Sequence, residues 1–235
     1  MLWLPSWLGT IYSKLYKEFV DREFTLRDVV SVIKRDYGYV KTAISKLCKA
    51  GWCVRDGKGK YRLLNPIECI LSVGELSSSL SKVRQKEYVP LLRRLVAEFL
   101  NEFRSSLLAV ILFGSVARGT ANRMSDIDLL VIVEGVPSSY LKRASLLADI
   151  IARAREEKMK LWSKGIYVSI QVFAYRPEEL KRFHAFYFDL AFNGIVLYSR
   201  MGWAERFLEG VRSMLYKMRA RKVVTPGGRW YWIVE

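Results

Sequence analysis

Histidine occurs once in the 235 residues, and cysteine three times, at Cys48, Cys53 and Cys69. One imidazole with an odd, unrepeated set of thiols is poor material for a His/Cys zinc cage. Reduced thiols in a cytoplasmic protein are the simplest reading. Long apolar runs are missing. The longest, residues 107–113, stops at Gly114-Ser115, far short of a membrane span. The apolar beginning, MLWLPSWLGTIYSK, has no basic residue before Lys14 and carries Pro5, which argues against a secretory signal. Leu2, Trp3, Leu4, Trp7 and Leu8 read as a packed first helix or a partner-facing patch.

Acidic residues are also in deficit, 23 against 39 Lys and Arg, a formal net charge of +16. That excess attracts polyanions such as nucleic acid or nucleotide phosphates, although a merely soluble basic protein carries it as well. No membrane partner is expected. With 51% hydrophobic and 26% charged residues the chain is ordinary globular protein, long enough for one large domain or two small ones. Residues 1–66 hold 13 Lys and Arg against 6 Asp and Glu, a denser charge than the remainder.

Residues 10–66 read as three helices and a hairpin. Ile11, Leu15, Phe19 and Val20 have helical spacing. Thr25 with Asp28 forms a box-like start for a second helix, with Leu26, Val29, Val30 and Ile33 inward. A third helix is expected over 39–50, with Val40, Ile44 and Leu47 as its core stripe and Gly51 just past its end. Residues 52–64 then read as strand, glycine turn and strand. Three helices followed by a basic hairpin resemble a winged helix-turn-helix domain. The resemblance makes 39–50 the recognition helix and 53–63 the wing. Lys41, Lys46, Lys49, Arg55, Lys58, Lys60 and Arg62 are its candidate nucleic-acid contacts, of phosphate rather than base type. A protein-interaction or dimerisation module is the other reading.

Residues 67–87 are expected to be a serine-rich connector, and 88–235 a second domain opening on a long helix over 88–104. Within it, 107–134 read LLAVILFGSVARGTANRMSDIDLLVIVE. An apolar strand runs into Gly114-Ser115, and a second strand begins at Asp126-Ile127-Asp128. Residues two apart on a strand share a face, so Asp126 and Asp128 present two carboxylates together. Like charges so close need a cation between them, and magnesium or manganese suits carboxylate oxygens. Gly114 lets the backbone approach a phosphate, and Ser115 adds a hydroxyl and an amide.

The arrangement G-S-x-A-R-G…S-D-I-D-L resembles the DNA polymerase beta superfamily of nucleotidyltransferases, the minimal nucleotidyltransferases in particular. The motif covers 113–133 and a compatible α/β fold with a mixed sheet covers 88–200. By resemblance, Gly114 and Ser115 hold the triphosphate, and Asp126 and Asp128 bind magnesium or manganese and carry the catalysis. Arg118 and Arg123 offer phosphate contacts or surface salt bridges. The resemblance implies an NTP substrate and a small helical protein partner, and it leaves homodimerisation open.

That family uses a third carboxylate on a later strand, expected here over 165–175. Tyr167, Ser169, Gln171 and Phe173 share one face, and neither face carries an acid. Ser169 or Gln171 stands where the third carboxylate belongs, with Glu134, Glu178 or Glu179 as distant substitutes. One helix is expected over 138–160 and another over 177–192, with His184 structural. A strand is expected over 195–198, a helix over 203–219 and a terminal hairpin after it. Two functions lead, ahead of a basic interaction scaffold with no ligand at all. One is metal-dependent transfer of an NMP from an NTP to an acceptor hydroxyl. The other is a DNA-binding regulator whose nucleotidyltransferase domain binds a nucleotide without turnover.

Overall fold

A computed structural model describes residues 4–20, 22–71, 75–224 and 230–234. The chain divides into two compact units, Met1–Ser77 and Ser78–Glu235.

The first unit opens with α1 (Ser6–Phe19), the two-residue strand β1 (Phe24–Thr25), α2 (Leu26–Ile33) and α3 (Tyr37–Lys49). Strands β2 (Cys53–Arg55) and β3 (Lys60–Leu63) follow, then the short helix α4 (Pro66–Leu71); α5 (Glu75–Ser81) runs across the division between Ser77 and Ser78. Leu8, Ile11, Leu15, Val29, Val40, Ile44 and Leu47 bring the apolar stripes of the three long helices into one core with Trp52 and Leu63. Thr25 and Asp28 form the expected capping box, and Asp36 caps α3, two residues earlier than the spacing of its core stripe indicates. Strand β1 has no signal in the sequence, because two residues carry no periodicity. It exists because Phe24 is buried and pairs with Tyr61, which gives an antiparallel sheet of order β1-β3-β2. Pro66–Leu71 and Glu75–Ser81 are helical, where a serine-rich connector with some helical pattern is expected over 67–87. Leu2 and Trp3 lie outside the described residues.

The second unit is mixed α/β. Helix α6 (Val89–Phe103) leads to β4 (Leu107–Phe113), the short helix α7 (Gly114–Arg118) and β5 (Ile127–Val133). Next come α8 (Tyr140–Ala152), α9 (Arg155–Trp162), β6 (Ile170–Tyr175), α10 (Tyr187–Asn193), β7 (Ile195–Ser199) and α11 (Trp203–Lys217). A hairpin of β8 (Arg221–Val224) and β9 (Trp230–Ile233) follows. The sheet has order β6-β5-β4-β7, with β5 and β6 parallel and the other pairs antiparallel. All seven residues of β4 are buried, as a continuous apolar run at the sheet's centre requires. Helices α10 and α11 cover the face built by Ile111, Phe113, Leu130 and Ile132.

Two expected helices are interrupted. The 138–160 segment breaks at Arg153-Ala154, where Ala154 turns inward and Arg153 reaches Glu98 at 2.8 Å and Glu102 at 2.7 Å on α6. The 177–192 segment is a 3-10 turn (Pro177–Lys181) and then α10, with Arg182 extended between them. Phe183, Phe186, Tyr187 and Phe188 are too closely spaced for one helical face, and the break lets their rings meet. His184 is structural: its Nε2 lies 3.1 Å from the Glu179 carbonyl and its ring stacks on Phe186. In the terminal hairpin Trp232 stacks with both Phe188 and Phe192, so this aromatic serves packing. Residues 226–228, its expected turn, lie outside the described residues. No helix among the described residues is long and apolar enough to cross a membrane.

Candidate active site

The site forms where β4 ends and β5 begins. Gly114 follows the last residue of β4 with φ +74°, a conformation that favours glycine, and it sits against the Asp128 side chain. A Cβ at this position would lie 1.9 Å from Asp128 Oδ2. Ser115 is half-buried in α7, and Gly119 ends that helix in the left-handed region. The loop that follows is clamped. The Gln85 amide donates to the Ala121 carbonyl at 2.9 Å and accepts from the Ala121 N–H at 3.1 Å. Asn122 accepts from the Met124 N–H at 2.8 Å, and the Tyr167 N–H donates to the Arg123 carbonyl at 2.7 Å. These bonds deliver the chain to Asp126 in a fixed direction.

Asp126 stands one residue before β5, and Asp128 is its second residue. Register places Asp128 between Phe113 of β4 and Gln171 of β6. Paired residues point to the same face, so Gln171 is the side chain that β6 offers beside Asp128. Burial pushes the Asp128 carboxyl up to about 6; the nearby charges of Asp126 and Asp189 push the same way, and Arg118 opposes them. Carboxylates crowded by like charge are the donor set that a hard divalent cation takes. Asp126 and Asp128 fit magnesium or manganese on that ground.

Asp189 on α10 has no motif to announce it. Its Oδ2 accepts from the Gly114 N–H at 2.7 Å and from Arg118 Nη1 at 2.6 Å. Its Oδ1 accepts from Asn193 Nδ2 at 2.8 Å. The available signal was that it is the single acid in the aromatic stretch 180–204.

The structure brings together Gly114, Ser115, Arg118, Asp126 and Asp128. Arg123 lies in the exposed loop, and Arg118 pairs with Asp189. The distant acids do not reach the site. Glu134 follows the opposite end of β5. Glu178 and Glu179 follow Tyr175, which pairs with Ile132 at that same far end. Glu179 is held by Arg143 at 3.0 Å and Arg176 at 3.3 Å.

In the first unit, Lys41, Lys46, Lys49, Arg55, Lys58 and Lys60 are exposed. Lys60 is paired with Glu23 at 2.8 Å, and Lys46 lies over the Trp7 ring. Arg62 is only 4% exposed, which removes it from the surface cations. It sits opposite Val54, two residues into the sheet from the turn, where the hairpin packs inward.

Residues 93–195 match the family described as Nucleotidyltransferase domain. A curated relative from Methanocaldococcus jannaschii, which carries the name protein adenylyltransferase MJ1305, is 29% identical over 133 residues. The alignment covers 55% of this chain and 86% of that protein. These matches support the nucleotidyltransferase superfamily. That superfamily usually needs a divalent metal, which the paired aspartates suit. The chain is also similar to a crystal structure of a toxin–antitoxin with AMP-PNP, with 21% identity and a TM-score of 0.34, over 53% of this chain and 87% of that one. A nucleotidyltransferase structure from Sulfolobus solfataricus is 20% identical with a TM-score of 0.29, over 55% of this chain and 90% of that one.

Proposed function

We propose that the second unit transfers an NMP, AMP in the first instance, from an NTP to an acceptor hydroxyl. The observation that carries this is the apposition of Gly114 and Asp128, which sets a glycine turn and its serine against paired carboxylates. Asp126 and Asp128 would hold magnesium or manganese. The ion, when bound, neutralises phosphate charge and polarises the α-phosphorus. Ser115 offers its hydroxyl and amide to phosphate oxygens, and the half-buried setting keeps those bonds from competing with bulk water. The acceptor oxygen forms a bond to the α-phosphorus, the α–β phosphoanhydride bond breaks, and pyrophosphate leaves. The acceptor's proton passes to solvent or to a base outside β6, because Ser169 and Gln171 cannot take it near neutral pH. Similarity to the relative named a protein adenylyltransferase favours a protein hydroxyl as acceptor.

Incubation with α-labelled ATP and manganese tests the reading, first on the protein itself and then on candidate protein and RNA acceptors. Label that stays covalently attached from α-labelled but not γ-labelled ATP is the expected result. Label from γ-labelled ATP alone would indicate phosphoryl transfer, and equal label from both would indicate adhesion of the whole nucleotide; either would sink the assignment.

For the first unit we propose a winged-helix role in nucleic-acid contact. Exposed Lys41, Lys46, Lys49, Arg55 and Lys58 support it. Such binding rests on phosphates and falls steeply with salt. Replacing Lys41 and Lys58 together reduces the salt slope by up to roughly two units for any duplex sequence. A slope unchanged by that replacement would point to a protein-contact module.

A further inference from the structure

The oxygens of Asp189 are bonded on both sides, and the pattern of their donors is informative. Gly114 N–H is the first amide of α7, and such amides have no partner within their own helix. Asp189 Oδ2 accepts it at 2.7 Å and accepts Arg118 Nη1, from the other end of the same helix, at 2.6 Å. Asn193 fixes the second oxygen at 2.8 Å. The carboxylate is thus a tie between α10 and both ends of the glycine turn, and its side chain is only 15% exposed.

We propose that Asp189 is a positioning residue of the nucleotide site, an inference that rests on the nucleotidyl-transfer reading. It performs two tasks. It holds the Gly114 turn in the conformation that lets Asp128 lie against it. It also holds the Arg118 guanidinium, whose charge faces Asp128 as well, away from a closer pairing with that carboxylate. The Gly114 amide and Arg118 are therefore committed within the protein, and the phosphate contacts of the turn fall to Ser115. Without Asp189, Arg118 turns to the remaining carboxylate and competes with the metal for it.

The test compares Asp189→Ala, Asp189→Asn, Arg118→Ala and the Asp189→Ala/Arg118→Ala double variant. Manganese binding is read by electron paramagnetic resonance and Mn·ATP binding by calorimetry. Residues that orient metal ligands are worth about 10–100-fold in metal affinity. Asp189→Ala is expected to lose about tenfold or more. The double variant is expected to recover part of the manganese affinity and to bind more tightly than Asp189→Ala, since the competing cation is gone although the Gly114 tie is not restored. Asp189→Asn, which keeps an acceptor for Gly114, should retain the native fold and fall between. A purely structural role predicts the reverse order, with the double variant the weakest, and that order overturns the proposal. Tighter binding in Asp189→Ala also overturns it, because Asp189 would then occupy a phosphate's place. Failure of the unaltered protein to bind manganese or Mn·ATP is a different result, which defeats the underlying reading. If Asp189→Ala does not fold, Asp189→Asn against Asp189→Asn/Arg118→Ala makes the same comparison.

Discussion

Gly114 and Asp128 approach so closely that a Cβ on residue 114 would lie 1.9 Å from Asp128 Oδ2. The contact joins the end of β4 to the start of β5 and fixes where the paired carboxylates stand relative to Ser115. Gly114→Ala meets both a positive φ and that overlap. It should cost about 2 kcal/mol or more in stability, from backbone strain and overpacking together. Urea unfolding measures the loss, and metal-dependent nucleotide binding should fall with it. A well-folded Gly114→Ala protein with full affinity would show that this apposition is not the site.

The raised Asp128 carboxyl, about 6 against 3.8, sets a pH dependence. Its proton is bound more tightly in the folded than in the unfolded state. Without metal, this group therefore favours folding at acid pH, and the favour is lost as pH rises from about 4 through 6. Asp128→Asn removes that slope. Manganese competes with the same proton, so its affinity should fall up to about tenfold per unit below pH 6. An affinity that holds level down to pH 4 would contradict the shift.

Register puts Gln171 beside Asp128, so Gln171→Asp adds a third anionic oxygen to the pair's surroundings. Manganese affinity is expected to rise at least several-fold, and nucleotide transfer to rise with it. Ser169 lies beyond the start of β6, with its carbonyl bonded to Ile127 N–H at 2.9 Å, and Ser169→Asp is the comparison variant. If neither change tightens manganese, β6 does not serve the site.

Glu179 lies away from the site and makes a stability prediction. Its carboxyl is held at about 2, chiefly by hydrogen bonds from Arg143. Arg143 also reaches the Ala174 carbonyl at 2.8 Å, so the pair ties α8 to β6. Glu179→Gln should destabilise by about 1–2 kcal/mol at neutral pH. The pair's contribution is present above the ordinary carboxylate range and is lost as pH falls from 4.5 toward 2, so the variant and the parent should converge there. Denaturant midpoints at pH 7 and pH 3 check this.

The apolar run of β4, the Thr25–Asp28 box and the G-S…D-x-D spacing were legible because each is local. Their physics is written within fifteen residues at most, the span from Gly114 to Asp128. The face shared by Asp128 and Gln171 was legible through the period of two. Strand β1 was not, since it depends on Phe24 finding Tyr61 some 37 residues later. Asp189 was not for the same reason: its partners Gly114 and Arg118 are 75 and 71 residues away. Arg62 was misplaced because a basic hairpin residue looks alike whether it faces water or the core. The break at Arg153-Ala154 comes from ion pairs to α6 and that at Arg182 from ring packing, neither of which any single-segment periodicity contains.

Calorimetry of ATP binding with and without manganese, on the unaltered protein and on the Asp126→Asn/Asp128→Asn double variant, shows whether the paired aspartates hold the metal that the nucleotide needs. The unaltered protein should bind ATP only with the metal, and the variant should lose about tenfold or more in affinity. Affinity that is the same in the variant, or the same without metal, would contradict that role.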